Sequence, residues 1–360
     1  MPPKKRLKEN KGLPKRWREK HGAYYYRVPP GQEHEWDNKK EFRLGDSLAE
    51  AYQTWAQRME QGPEDIETIA DLFDRYALEV IPTKAAATQR DNLASLKILR
   101  PIFGAMLLAK YKECLIEPHH FYQYFDKRKA KTAAAHELQV FRHALTKAVE
   151  WGLIKKNPII EQFSLKGRKP KTRDRYIEDW ELLEVLQLPE TRKKGSVRML
   201  KAYIKIKLMT ALRRTDMLQL RIADIRDGAI HVQPHKTAKT TGKAIQIEIT
   251  PELDEAIKEA IGARPLHIAP WLFCTRAGEC YVDAQGQANG FDSMWQRFMD
   301  RVVKETKVTE RFCERDLRAK CATDQPSLEA AKKLLAHADS RTTARWYRRK
   351  PERVKPGKSI

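Results

Sequence analysis

Met209-Thr-Ala-Leu-Arg-Arg-Thr-Asp-Met-Leu-Gln-Leu220 reads as the end of one helix, a short turn holding Arg213, and a second helix opening near Thr215-Asp216. An arginine at such a boundary can project into a site, although alone it is more often a surface residue or a helix-dipole partner. Working outward, strands are expected at Ala229–Gln233 and Ala244–Ile249, flanking the lysine-rich turn Pro234-His-Lys-Thr-Ala-Lys-Thr-Thr-Gly-Lys243. Helices are expected at Ile177–Leu188, Gly195–Met209, Asp216–Leu220, Pro251–Glu259, Gly290–Val302 and Ser327–Leu335. This part of the chain is therefore a mixed α/β domain.

Two further segments carry chemistry. Arg315 and Arg318, in Phe312-Cys-Glu-Arg-Asp-Leu-Arg318, are three apart and share a face if helical. Leu334-Leu-Ala-His337 should end a helix and present His337 just beyond it, ten residues before Tyr347. A lysine on a mobile turn can serve as a general acid, and fixed cations beside a phenol suit attack on a phosphodiester. The composition agrees: of 360 residues, 70 are Lys or Arg and 48 are Asp or Glu, a net charge of +22 that calls for a polyanion partner. No apolar run is long enough to span a bilayer, and the basic start Met1-Pro-Pro-Lys-Lys-Arg-Leu-Lys8 lacks the apolar stretch of a secretory signal. The five cysteines (114, 274, 280, 313 and 321) form no CxxC pair, so free thiols in a reducing compartment are expected and no metal site.

Upstream, two smaller domains are expected. Residues 1–62 combine a basic leader with strands Ala23–Val28 and Lys40–Gly45 and a helix over Ser47–Met59. Its aromatic and arginine side chains, Tyr24, Tyr26, Arg27 and Arg43, could enter a DNA groove, although alternation turns at least one tyrosine of Tyr24-Tyr-Tyr26 the other way. Residues 63–165 read as all-α: Ile69, Leu72, Phe73, Tyr76 and Ala77 recur at helical spacing. Further helices are expected at Thr88–Leu99, Glu117–Lys129 and Lys131–Trp151, with a turn at Pro101–Gly104. Residues 166–175 form a linker whose six basic side chains, among them Lys166, Arg168, Lys169 and Lys171, are too dense to bury and can lie across phosphates. The largest domain covers 176–350, and 351–360 is a tail.

Taken in order, these segments resemble the carboxy-terminal domain of the tyrosine recombinases, specifically temperate-phage integrases. The family pattern is Arg, Lys, His-x-x-Arg, His or Trp, and Tyr. Thr210-Ala-Leu-Arg-Arg-Thr-Asp216, Leu335-Ala-His337 and Thr342-Thr-Ala-Arg-Trp-Tyr347 carry the likeness. It implies a multidomain, mainly α chain with small β elements: an amino-terminal sheet-and-helix arm-binding domain, an all-α core-binding domain and a mixed α/β catalytic domain. By the same resemblance, Arg213 and Arg318 clamp a scissile phosphate and Lys236 protonates the leaving 5′-oxygen, with Lys239 as the fallback. His337 then hydrogen-bonds the phosphate and Tyr347 is the nucleophile.

Four departures from the pattern stand out. Arg315 occupies the position where the family usually has histidine, and arginine cannot readily accept the tyrosine's proton. Ala211 and Ala336 replace glycines, which implies that neither turn needs a positive φ. The interval from His337 to Tyr347 is one residue longer than usual. The resemblance further implies double-stranded DNA attachment sites as substrate, a homotetramer on DNA, and neither metal nor other cofactor. It implies the cytoplasm and nucleoid of a bacterial host, and leaves a host DNA-bending protein and an excisionase open as accessory partners. The competing readings are a non-catalytic DNA-binding scaffold and a transposon-borne or dimer-resolving recombinase.

Overall fold

The computed structural model describes residues 10, 12–58, 66–166, 168, 173–190, 196–235, 242 and 244–350. The chain divides into two compact units, Met1–Lys171 and Thr172–Ile360.

In the first unit, β1 (Trp17–Lys20), β2 (Ala23–Arg27) and β3 (Glu41–Gly45) form an antiparallel sheet in that order. Strand β1 escaped the sequence reading because Trp17-Arg-Glu-Lys20 has a single apolar residue, and that residue alone is buried. Trp17 pairs with Tyr26 across the sheet. Tyr26 packs on Trp36 with ring centroids 4.6 Å apart and keeps only 8% exposure. The expectation that Tyr26 enters a DNA groove is thus corrected: its ring is core. Tyr24 is half-buried between Lys97 and Glu19. Tyr25 faces the other way, in register with Arg18 and Arg43, and both Arg27 and Arg43 are exposed.

Helix α1 (Leu48–Arg58) lays Tyr52 and Trp55 against Trp17. The helices that follow are α2 (Ile69–Arg75), opened by a Thr68–Asp71 capping box, α3 (Ala86–Phe103), α4 (Pro118–Lys127), α5 (Lys131–Glu150) and α6 (Ile159–Gln162). Strands β4 (Ala109–Lys110) and β5 (Glu113–Cys114) form a small hairpin between α3 and α4. Sheet and helices share one apolar cluster running from Trp17 and Tyr26 to Phe73, Phe103 and Phe141. A buried Arg100–Asp74 pair, in contact with the Tyr52 phenol, ties α1 to α2 and α3.

Helix α3 runs through Pro101 instead of turning there. Proline has no N–H for the Lys97 carbonyl one turn earlier. Gly12, at φ +90°, lies against that carbonyl so closely that a Cβ would stand 1.9 Å from its oxygen. Packing at Leu99 and Phe103, both buried, holds the helix beyond the proline. Of the basic stretch after α6, Lys166 is exposed, and Arg168 pairs with Asp126 at 3.2 Å while lying over the Tyr122 ring. Lys169 and Lys171 lie outside the described residues.

The second unit opens at Arg173 and Arg175. The expectation that every basic side chain of this stretch stands exposed fails at Arg175, whose side chain is 12% exposed and bound to Glu181 and Glu310. Paired carboxylates remove the cost of burying a lone charge. Next come α7 (Asp179–Gln187), α8 (Ser196–Thr210) and α9 (Arg214–Leu218). The sheet β6 (Ile225–Arg226), β7 (Ala229–Val232) and β8 (Ile245–Glu248) is followed by α10 (Pro251–Gly262), α11 (Asn289–Glu305), α12 (Glu314–Thr323), α13 (Leu328–Leu334) and α14 (Ser340–Tyr347). Helix α8 is covered almost all round, with only Arg198 exposed, and is the core's axis, with Leu200, Tyr203, Ile204 and Ile206 buried against α10, α11 and α12.

Candidate active site

Helix α8 ends at Thr210, and Ala211 turns the chain with φ 50°. This corrects the expectation that alanine at this position means no positive φ. The turn aims the Ala211 carbonyl at Arg318, which donates to it from α12. Arg213 is the residue before α9, and its guanidinium stands 3.9 Å from the buried carboxylate of Asp216 three residues on. Asp216 also accepts from the His235 N–H at 2.9 Å and meets His235 Nδ1 at 3.1 Å. One carboxylate therefore anchors both Arg213 and the strand end leading into the lysine-rich turn. Lys236 and Lys239 themselves lie outside the described residues.

Ala336 is the second correction, at φ 52°. The His337 N–H bonds the Lys332 carbonyl at 3.1 Å and the Ala336 N–H bonds that of Lys333 at 3.0 Å, a Schellman ending for α13. That ending delivers His337. Its Nδ1 meets the hydroxyl of the fully buried Thr343 at 2.9 Å, and its ring lies 5.1 Å from the Tyr347 ring, centroid to centroid. Arg318 closes the group. It is 5% exposed, donates to the Leu335 carbonyl at 3.0 Å, and lies 5.4 Å from the Tyr347 ring centroid. Burial, with the neighbouring Arg213 charge adding to it, holds the Arg318 pKa below the ordinary arginine value. A dry guanidinium so placed is poised for an anion.

Arg213, Arg315, Arg318 and Tyr347 line one cleft of ≈ 690 Å³. Arg315 is exposed there, and its guanidinium makes no hydrogen bond or ion pair with another described residue. Four of the expected residues thus share a wall, with His337 beside them. The cleft floor holds a residue that sequence reasoning missed. Lys207, on α8, is 1% exposed and bonds the Tyr203 hydroxyl at 3.1 Å and Glu314 at 3.3 Å. Burial lowers its pKa to about 8, with Glu314 pulling the other way. Its position among the apolar residues of Tyr203-Ile-Lys-Ile-Lys207 was the available signal, since a lysine on a buried helix face needs a partner.

The second unit carries the family's own signature. Residues 175–353 match the phage integrase family, and the chain belongs to it: it is a tyrosine-type site-specific recombinase. Among solved structures it is similar to a lambda integrase tetramer bound to a Holliday junction, at 19% identity and a TM-score of 0.61 over 98% of this chain and 99% of that one. It is also similar to the Tn1549 transposon integrase in complex with a circular intermediate DNA, at 16% identity and a TM-score of 0.64 over 78% of this chain and 95% of that one. These are likenesses of fold. No curated protein sequence matches the chain.

Proposed function

We propose that this chain cuts and rejoins double-stranded DNA at attachment sites, with Tyr347 as the nucleophile. The observation that carries the reading is the Tyr347 ring lying beside a buried Arg318 and beside His337, in a cleft that Arg213 shares. The Tyr347 phenol gives up its proton to solvent and its oxygen attacks a backbone phosphorus, the bond to the 5′-oxygen breaks, and a 3′-phosphotyrosyl link forms. Arg213 and Arg318 take the developing charge on the non-bridging oxygens, and His337 contributes a further hydrogen bond. Lys236 gives the leaving oxygen its proton. Arg315 withdraws charge from the phenol or phosphate but accepts no proton. The bond energy is kept in the ester, so a free 5′-hydroxyl from a partner duplex reverses the step and releases Tyr347.

Two duplexes with two cleavage sites each call for four protomers. The lambda integrase structure, a tetramer on a Holliday junction, supports that count for this chain. Integration and excision of a prophage or genomic island is the setting we infer, with a DNA-bending protein and an excisionase as accessory partners. Arm-site binding falls to the outward face of the amino-terminal sheet, Arg18, Tyr25, Arg27 and Arg43, in place of the set that included Tyr24 and Tyr26. Lys166 and Arg168 remain phosphate contacts.

A nicked duplex carrying the attachment core tests the reading. The wild type should give an SDS-resistant protein–DNA adduct and Tyr347→Phe none. Specific binding without any wild-type adduct would favour a non-catalytic scaffold, with Arg315 as the first residue to revert.

A further inference from the structure

The backbone that leaves Tyr347 is held by helix α12, the helix that also carries Arg318. Thr323, at the last turn of α12 and 8% exposed, donates from its hydroxyl to the Tyr347 carbonyl at 2.8 Å and accepts the Arg349 N–H at 3.1 Å. The same hydroxyl stands 2.7 Å from the Ala319 carbonyl, so its one proton is shared between the two carbonyls. One turn into α12, Asp316 has no exposure at all. Its carboxylate receives Arg349 at 2.6 Å, Arg173 at 2.9 Å and the Cys313 N–H at 2.8 Å. The Arg349 side chain is itself 5% exposed and also donates to the Arg175 carbonyl. Burial works to raise the Asp316 pKa, but Arg349, the Cys313 N–H and Arg173 outweigh it, and the carboxyl lies below the usual aspartate value.

A buried charge pair costs desolvation that only good geometry and further hydrogen bonds offset, and Asp316 has both. Here both ends of α12 grip residues 347–349, so the end of α14 that carries Tyr347 is tied to the helix that carries Arg318. We propose that Thr323, together with the Asp316–Arg349 pair, is a latch that positions Tyr347 for attack. The inference rests on Tyr347 being the nucleophile. The side chains of all three latch residues are buried; they act by fixing where the phenol stands. A misplacement of about 1 Å in a reacting group can cost on the order of 100-fold in rate.

The test uses the full chain on the nicked duplex at saturating protein. Thr323→Val keeps the shape and removes the hydroxyl, while Thr323→Ser keeps the hydroxyl. Three quantities are read: the single-turnover rate of adduct formation, the Kd for the duplex, and trypsin cleavage after Arg348 and Arg349. The expected result for Thr323→Val is a rate loss of roughly 10- to 100-fold, unchanged Kd, and faster tryptic cleavage. Thr323→Ser should recover most of the rate. Arg349→Met, which removes the other half of the latch and leaves Asp316 paired with Arg173, should reproduce the loss even if Thr323→Val folds poorly. A wild-type adduct rate in Thr323→Val or Arg349→Met overturns the latch, as does a Thr323→Ser protein no better than Thr323→Val. A wild type that forms no adduct overturns instead the reading of Tyr347 on which the latch rests.

Discussion

At residue scale the site combines side chains whose ordinary properties have been bent by burial. Arg318 is a charge kept out of water and satisfied by carbonyls, with its remaining capacity turned toward the cleft. Arg315 differs: it is exposed, and its guanidinium cannot accept the phenol's proton as an imidazole could. Arg315→His is therefore expected to keep cleavage activity in the adduct assay, and complete loss would mean that the site has been rebuilt around the guanidinium. Ala336 stands in the left-handed region that glycine occupies at no steric cost. Ala336→Gly should stabilise the protein by about 1 kcal/mol or less, measured by denaturant unfolding. Lys207 predicts a pH dependence. With its pKa lowered from 10.5 to about 8 in the folded chain, the unfolded chain binds more protons between those values, so stability attributable to Lys207 rises with pH across that window. Comparing unfolding of the wild type and Lys207→Met from pH 7 to 10.5 should show a slope difference of that sign.

At the scale of elements, the helices and strands that bury a repeating apolar face were readable from the sequence, and those without one were not. Helices over 131–150 and 290–302 show their period plainly, as do the strand pair around 230 and 247. Strand β1 has one apolar residue and was invisible. Helix α12 has Leu317 as its sole large apolar side chain, with Asp316, Arg318 and Lys320 buried through pairing, so period alone could not reveal it. The tyrosines of β2 show the same limit: alternation told that one must differ, but not which face met Trp36. The site's basic residues were legible because their order carries information, whereas Thr323, Asp316 and Arg349 act through contacts between segments distant in sequence. Two substitutions separate the faces of β2. Tyr26→Ala should cost about 3–5 kcal/mol of stability by emptying a core position, while Tyr25→Ala should leave the melting temperature nearly unchanged and weaken binding to arm-type DNA. Equal binding by the Tyr25→Ala protein would remove the sheet from the interface.

At the scale of the whole molecule, charge and architecture serve one partner. A surplus of +22 sits on two units whose cores are each complete. Binding dominated by phosphate contacts should weaken steeply with salt, and the slope of log K against log salt reports how many contacts are made. Each Lys or Arg that touches phosphate should reduce that slope by roughly one when replaced by alanine. The amino-terminal sheet shares its apolar cluster with helices α2 to α5, so point substitutions on its outward face test arm binding more cleanly than removal of residues 1–62. The central claim is that Tyr347 becomes covalently joined to DNA through a 3′-phosphate. Mass spectrometry of the trapped adduct, after nuclease trimming and trypsin digestion, tests it directly. The account predicts a nucleotide on the peptide containing Tyr347, attached through its 3′-phosphate. A nucleotide on any other residue, or a link through a 5′-phosphate, would contradict it.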